Sequence, residues 1–280
     1  MKKIILFLLL LTFADVAVQA QCYNRCRSMG IEKYNARDYA KAKDCFVNAK
    51  QCPDKPYSDD LDTWIRKCEN PTPPEGTILG HDYVDLNLPS GTLWATCNVG
   101  ASLPSDYGNY YAWGEVSTKN EYNYSNLQYC NDSDGYSFSK YNEGIETRGT
   151  RDGRICLEMS DDAARANWGG DWRMPTHEEW VELIDNCIWV WTTQGGHYGY
   201  KITSKGNGRY IFLPAAGSLL GNYRYAGVYK YGSYWSSSLS PGAASHSYKC
   251  ELDSVNVDPN FWGSRQCGLP VRPVVSLFQN

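Results

Sequence analysis

The sequence has little of what most function classes require. It holds four histidines in 280 residues, His81, His177, His197 and His246, and none has a second metal-ligating residue at a useful spacing. It has no GxSxG elbow, no HExxH helix and no phosphate-cradling glycine loop, so the common hydrolase, zinc-protease and nucleotide-binding signatures are missing. Basic residues are not in excess: 27 Lys and Arg against 31 Asp and Glu leave a net charge of −4, which argues against the basic face of a nucleic-acid binder. Past Phe13 no apolar run approaches the roughly 18 residues of a membrane-spanning helix, so no membrane span is expected.

What the chain does have is aromatic surface and cysteine. Ten Trp and 22 Tyr within a 42% hydrophobic composition predict a folded chain, long enough for one sizeable core and a small accessory module. Eleven Cys are many for a reducing compartment. The start agrees: Met1-Lys2-Lys3, the apolar run Ile4 to Phe13 and the cleavage-site pattern Val18-Gln19-Ala20 read as a signal peptide over 1–20. The expectation is export to the periplasm, the cell surface or the extracellular space. Gln21 stands where a lipidated Cys22 would need a small neighbour, so no lipid anchor is expected.

Three prolines in Pro71-Thr72-Pro73-Pro74 divide the chain, and 71–78 reads as a stiff linker. Residues 21–70 carry ten basic and eight acidic groups, and 71–280 carry 15 and 22. The first segment predicts amphipathic helices over 22–35 and 38–50, and a third helix with Leu61, Trp64, Ile65 and Cys68 inward. Gly30, Tyr34, Tyr39, Ala42, Phe46 and Ala49 resemble the spacing of one tetratricopeptide repeat, so 21–70 is expected to be a small all-α module serving as a spacer or docking to an envelope partner. Its five Cys allow Cys22–Cys52 with Cys26–Cys45, while Cys52–Cys68 competes, and the odd count leaves a thiol over.

After the linker, strand and turn signals dominate. Thr176 and Glu179 form a capping box, and Trp180, Val181, Leu183, Ile184 and Cys187 make the apolar face of the helix that follows. Short strand-like runs then extend to the C-terminus, which makes the segment α+β.

Ordered motifs run through this segment: Leu93-Trp94-Ala95-Thr96-Cys97-Asn98-Val99-Gly100-Ala101, Tyr111-Ala112-Trp113-Gly114-Glu115, Asn167-Trp168-Gly169, Trp172-Arg173-Met174-Pro175-Thr176, Gly232-Ser233-Tyr234-Trp235-Ser236-Ser237, and Gly268-Leu269-Pro270-Val271-Arg272-Pro273-Val274. Together they resemble the Fibrobacter succinogenes major paralogous domain, a secreted bacterial module similar in fold to C-type lectins and to the formylglycine-generating, sulfatase-modifying group. The resemblance implies a C-type lectin-like domain over 79–276, with short helices packed on small twisted antiparallel sheets. The motif residues read as core: four tryptophans that each need one indole N–H partner, and Arg173 and Arg272 as buried bridges to Glu115 or Asp171.

The enzymes in that resemblance use closely spaced redox cysteines. Here Cys250 and Cys267 stand 17 apart, so no catalytic residues and no enzyme are expected; Cys250 reads as an inward hydrophobe or as bridged to Cys267. Asp258-Pro259-Asn260 and Asn131-Asp132-Ser133-Asp134-Gly135 are oxygen-rich but lack a calcium-site pattern, so no metal or cofactor is expected. The resemblance implies display of the C-terminal face, diversified in some relatives. The expected function is that of a ligand-binding protein, such as an adhesin, that recognises a protein or glycan through Tyr223, Tyr225, Tyr229, Tyr231, His246, Lys249, Glu251, Asp253, Asn256, Asp258, Asn260, Phe261 and Trp262. Asn256 to Trp262 is expected to be a loop ending in two exposed aromatics. An enzyme-like relative of the sulfatase-modifying group and a structural envelope component are the alternatives.

Overall fold

The computed structural model describes residues 22–36, 38–69, 76–144, 148–224 and 230–276. The signal peptide expected over 1–20 and the linker residues 71–75 lie outside the described residues. The chain divides into two compact units, Met1–Pro73 and Pro74–Asn280.

Among the described residues the first unit contains three helices, α1 (Cys22–Asn35), α2 (Tyr39–Lys50) and α3 (Leu61–Glu69). Asp38 caps α2 by accepting the Lys41 N–H. Ala42, Phe46 and Ala49 fall on one face of α2 and are fully buried, with Tyr23, Leu61 and Cys68 against them. A Cβ on Gly30 would stand 2.5 Å from the Phe46 ring, so α1 and α2 approach closely only because residue 30 has no side chain. The disulfide is Cys22–Cys52, one of the pairings left open by the sequence; Cys26, Cys45 and Cys68 are free thiols.

Arg27 on α1 donates to Asp60 at 2.8 and 2.5 Å, and the Trp64 indole N–H adds a third bond to the same carboxylate at 2.9 Å. Chiefly because of the Arg27 hydrogen bond, the Asp60 carboxyl is held down to about 2. An acid with a depressed folded-state pKa adds stability that is present above its unfolded value, near 3.8, and is lost as the pH falls toward 2. Amide exchange in α1 and α3 should therefore accelerate across that window in the wild type. In Asp60→Asn the acceleration should be largely absent, because the linkage has been removed at every pH.

The second unit is mixed α+β, with small antiparallel sheets and few helices. Its strand β1 (Gly76–Ile78) begins inside the expected linker and pairs with β2 (His81–Val84), which pairs with β3 (Thr92–Ala95). The last strand, β14 (Val274–Ser276), joins the far edge of β3, so both ends of the described unit meet in one four-stranded sheet. Between them come β4 (Tyr110–Tyr111), α4 (Ala163–Trp168), α5 (His177–Asn186), a three-stranded sheet of β5 (Cys187–Gln194), β6 (His197–Ser204) and β7 (Tyr210–Pro214), and the short pair β8 (Leu219–Leu220) and β9 (Tyr223–Arg224). A second three-stranded sheet follows, β10 (Tyr231–Leu239), β11 (His246–Asp253) and β12 (Val257–Ser264), and then β13 (Leu269–Pro270) pairs with β4.

Trp94, Trp113, Trp172 and Trp235 are all completely buried. Three of their indole N–H groups donate to carbonyls: Trp113 to Ser236 at 2.8 Å, Trp172 to Ile78 at 3.1 Å and Trp235 to Tyr111 at 2.8 Å. The Trp94 indole N–H has no partner, and its ring packs edge-on to Trp180 at 4.8 Å. The two arginines differ from expectation. A backbone bridge to Val274 carries Arg173 over the first turn of α5, where it pairs with Glu179 at 2.6 Å, the same carboxylate that closes the capping box on Thr176. Arg272 has no carboxylate partner; it is fully buried and donates to Asn98 Oδ1 at 2.8 Å and to the carbonyls of Ala95 and Thr96 at 3.2 and 3.0 Å. Glu115 and Asp171 instead pair with Lys119 and Arg165.

Arg265 is a second buried guanidinium, stacked over Phe138 at 4.3 Å and Trp113 at 4.9 Å and donating to the Ala244 carbonyl at 2.9 Å. Burial pushes it down to about 10. With Tyr122, Leu127 and Tyr141 also buried, much of 116–144 is packed into the unit rather than standing over it as a lid.

Candidate functional site

Tyr231 and the expected residues from His246 to Trp262 lie on the sheet β10–β11–β12 and its turn, but the pleat divides them. Paired residues in neighbouring strands share a face, and successive residues alternate. Tyr231 pairs with Asp253, Ser233 with Glu251, Trp235 with Lys249, and Lys249 with Phe261, so these side chains share one face. Cys250 and Leu252 point the other way into the core and are buried, as the sequence alternation predicts. Tyr248 pairs with Trp262 on that second face.

Asn256 to Trp262 is not a loop. Only 253–256 turns, with Asp253 Oδ1 accepting the N–H groups of Val255 and Asn256 at 2.7 and 2.9 Å. From Val257 the chain pairs back along β11 as far as Ser264 opposite His246, with a bulge opposite Lys249 to Glu251. That bulge breaks the period-two pattern that would have marked a strand.

On the first face, a cavity of about 430 Å³ is lined by Ser218, Leu220, Tyr231, Lys249, Glu251 and Cys267. Lys249 lies at its centre: its ammonium pairs with Glu251, donates to Ser233 Oγ at 3.2 Å and stands 5.6 Å from the centre of the Phe261 ring. Phe261 is 45% exposed. The ion pair is partly open to water and is worth little as a staple. As a ligand surface it offers one donor, one acceptor and hydroxyls beside an exposed ring. Ser233 reads in the sequence only as part of a core motif, and its place beside Lys249 comes from the strand register. Ser218, Leu220 and Cys267 come from elsewhere in the chain and carried no signal.

On the second face, the first residue of α5 fixes several of the expected residues. His177 stacks on Tyr248 at 4.0 Å, and its Nε2 lies 3.0 Å from Asn260 Oδ1. Asp258 pairs with Glu251 and so belongs to the first face, but its Oδ1 accepts from the Asn260 backbone and side-chain N–H groups at 2.8 and 3.1 Å, which ties Asp258-Pro259-Asn260 internally, and Asn260 in turn to α5. His246 holds the start of β11, its Nδ1 2.8 Å from Ser245 Oγ, and burial pushes its ring below the usual histidine range. Trp262, 56% exposed, stands near a cavity of about 600 Å³ lined by Tyr248, Ser238, Ser240, Cys156, Glu143 and Glu178, among others. Tyr225 and Tyr229 lie outside the described residues; Tyr223 is in β9, and its side chain lies outside them too.

The oxygen-rich 131–135 stretch is a turn, in which Asp132 Oδ1 accepts from Gly135 and Tyr136 at 2.8 and 3.1 Å. Cys250 and Cys267 are free thiols, not a bridge, and burial pushes both upward, away from the thiolate. Among the described residues, the group of ligand-type atoms that converges closely enough for a metal is Cys22, Cys26 and Cys52. No helix among the described residues is long and apolar enough to cross a membrane. No protein-family model, curated protein or solved structure matches the chain.

Proposed function

We propose that this is an exported bacterial recognition protein whose second unit is a C-type lectin-like domain. It binds a protein or glycan without catalysis, through the Tyr231–Lys249–Glu251–Phe261 face. The observation that carries the reading is the exposed Phe261 ring beside the Lys249–Glu251 pair, on the face where Tyr231, Lys249 and Glu251 line a cavity. An exposed aromatic with a few convergent polar groups is the composition of a specific binding surface. Burial pushes the Cys250 and Cys267 thiols upward, away from the reactive thiolate, which weighs against the sulfatase-modifying chemistry. The motif tryptophans Trp94, Trp113, Trp172 and Trp235, all completely buried, support the resemblance as one of fold.

The test is binding of the protein to glycan and surface-protein arrays, with and without EDTA. Saturable binding that EDTA leaves unchanged is the expected result. Loss in EDTA would place a cation in the site, and no saturable binding at all would favour a structural envelope role.

A further inference from the structure

The helical unit carries a second chemical feature, independent of the ligand-binding reading. Cys22 and Cys26 are one turn apart on α1 and share a face of it. Cys52, just beyond α2, completes the group: the three sulfurs lie within 4.8 Å of one another, with Cys22 and Cys52 joined and Cys26 a free thiol. A thiol held against a disulfide is the reacting arrangement for exchange.

The two ends of the disulfide are not equivalent. Cys22 is the first residue of a 14-residue helix, where the dipole favours a thiolate. Cys52 follows the C-terminal end of α2, is only 6% exposed, and holds its Sγ 3.6 Å from the Asn48 carbonyl oxygen, where negative charge is unwelcome. Cys22 is thus the better leaving group and Cys52 the sulfur to be attacked. The unit's other free thiols are poorer attackers: burial raises Cys45 and pushes Cys68 up to about 11.

We propose that Cys22, Cys26 and Cys52 form a thiol–disulfide exchange site. The Cys26 thiol gives its proton to water, and its sulfur bonds to Cys52 Sγ. The Cys22–Cys52 bond breaks with its electron pair leaving on Cys22, which then takes a proton from water. One disulfide and one thiol stand on each side, so no oxidant or reductant is consumed. The unit then has two covalent forms, one presenting Cys26 and the other presenting Cys22 at the first residue of α1.

The test uses the full chain, oxidised, held at pH 8 without reductant, acid-quenched, alkylated at low pH and mapped by peptide mass spectrometry. Wild type should contain both Cys22–Cys52 and Cys26–Cys52 peptides, and Cys26→Ser should contain only the first. Cys22→Ser should join Cys26 to Cys52 in most molecules. A wild-type map with Cys22–Cys52 alone overturns the proposal, a readout that needs no variant to fold. So does a Cys22→Ser map in which Cys52 is unpaired or Cys26 is joined to Cys45.

Discussion

Arg272→Met should destabilise the second unit by about 1–3 kcal/mol, the cost of leaving buried acceptors without their donor. The guanidinium is fully buried and answers Asn98 Oδ1 and the carbonyls of Ala95 and Thr96, which lie just past and at the end of β3. Methionine fills much of the same volume but donates nothing, so the loss is one of hydrogen bonding rather than packing. Because Arg272 has no carboxylate partner, restoring a charge nearby would not rescue the variant. Equilibrium denaturation with an unchanged m-value would check the figure, and a loss below about 1 kcal/mol would mean that water reaches these groups. Residues Leu269–Val274 thus act as a latch: Arg272 bonds to the carbonyls around the end of β3, and β14 completes the sheet beside it.

Phe261→Ala should weaken ligand binding about 30-fold, the loss expected when an interface anchor worth about 2 kcal/mol is truncated. The ring is exposed, so folding stability should change little. Trp262→Ala is the internal control. Trp262 is the next residue and is equally exposed, but it lies on the opposite face with Tyr248, so its binding should stay within about threefold of wild type. Isothermal titration of the two variants against the same captured ligand distinguishes them. A larger loss in Trp262→Ala would move the site to the cavity beside Tyr248 and Ser240.

Much of the fold was legible wherever local chemistry is strong. The Thr176–Glu179 capping box, the inward Cys250 and Leu252 and the buried tryptophans each follow from a spacing that physics constrains, whereas Cys22–Cys52 was one of two competing pairings. The misses have physical causes. Cys187 reads as the end of a helix face, but it opens β5, whose Ile188-Trp189-Val190-Trp191 run and closing Gly195-Gly196 turn, both glycines at positive φ, are a hairpin signal. The bulge in β12 hid a strand, because one extra residue destroys alternation. The expected carboxylate partners of the arginines were not found because tertiary packing decides them: a bridge to Val274 sets Arg173 beside Glu179, and Arg272 meets the carbonyls around the end of β3. The candidate site shared that weakness: composition identified its residues, but only register shows that Phe261 and Trp262 face opposite ways.

The most direct test of the recognition surface is a hydrogen-exchange footprint of the protein with its array-selected ligand bound. Protection should appear at 218–220, 231–233, 249–251 and 261, and be absent from α5 and from 22–69. Protection centred on Tyr248, Trp262 and α5, or confined to the helical unit, would contradict the assignment of the Lys249–Phe261 face.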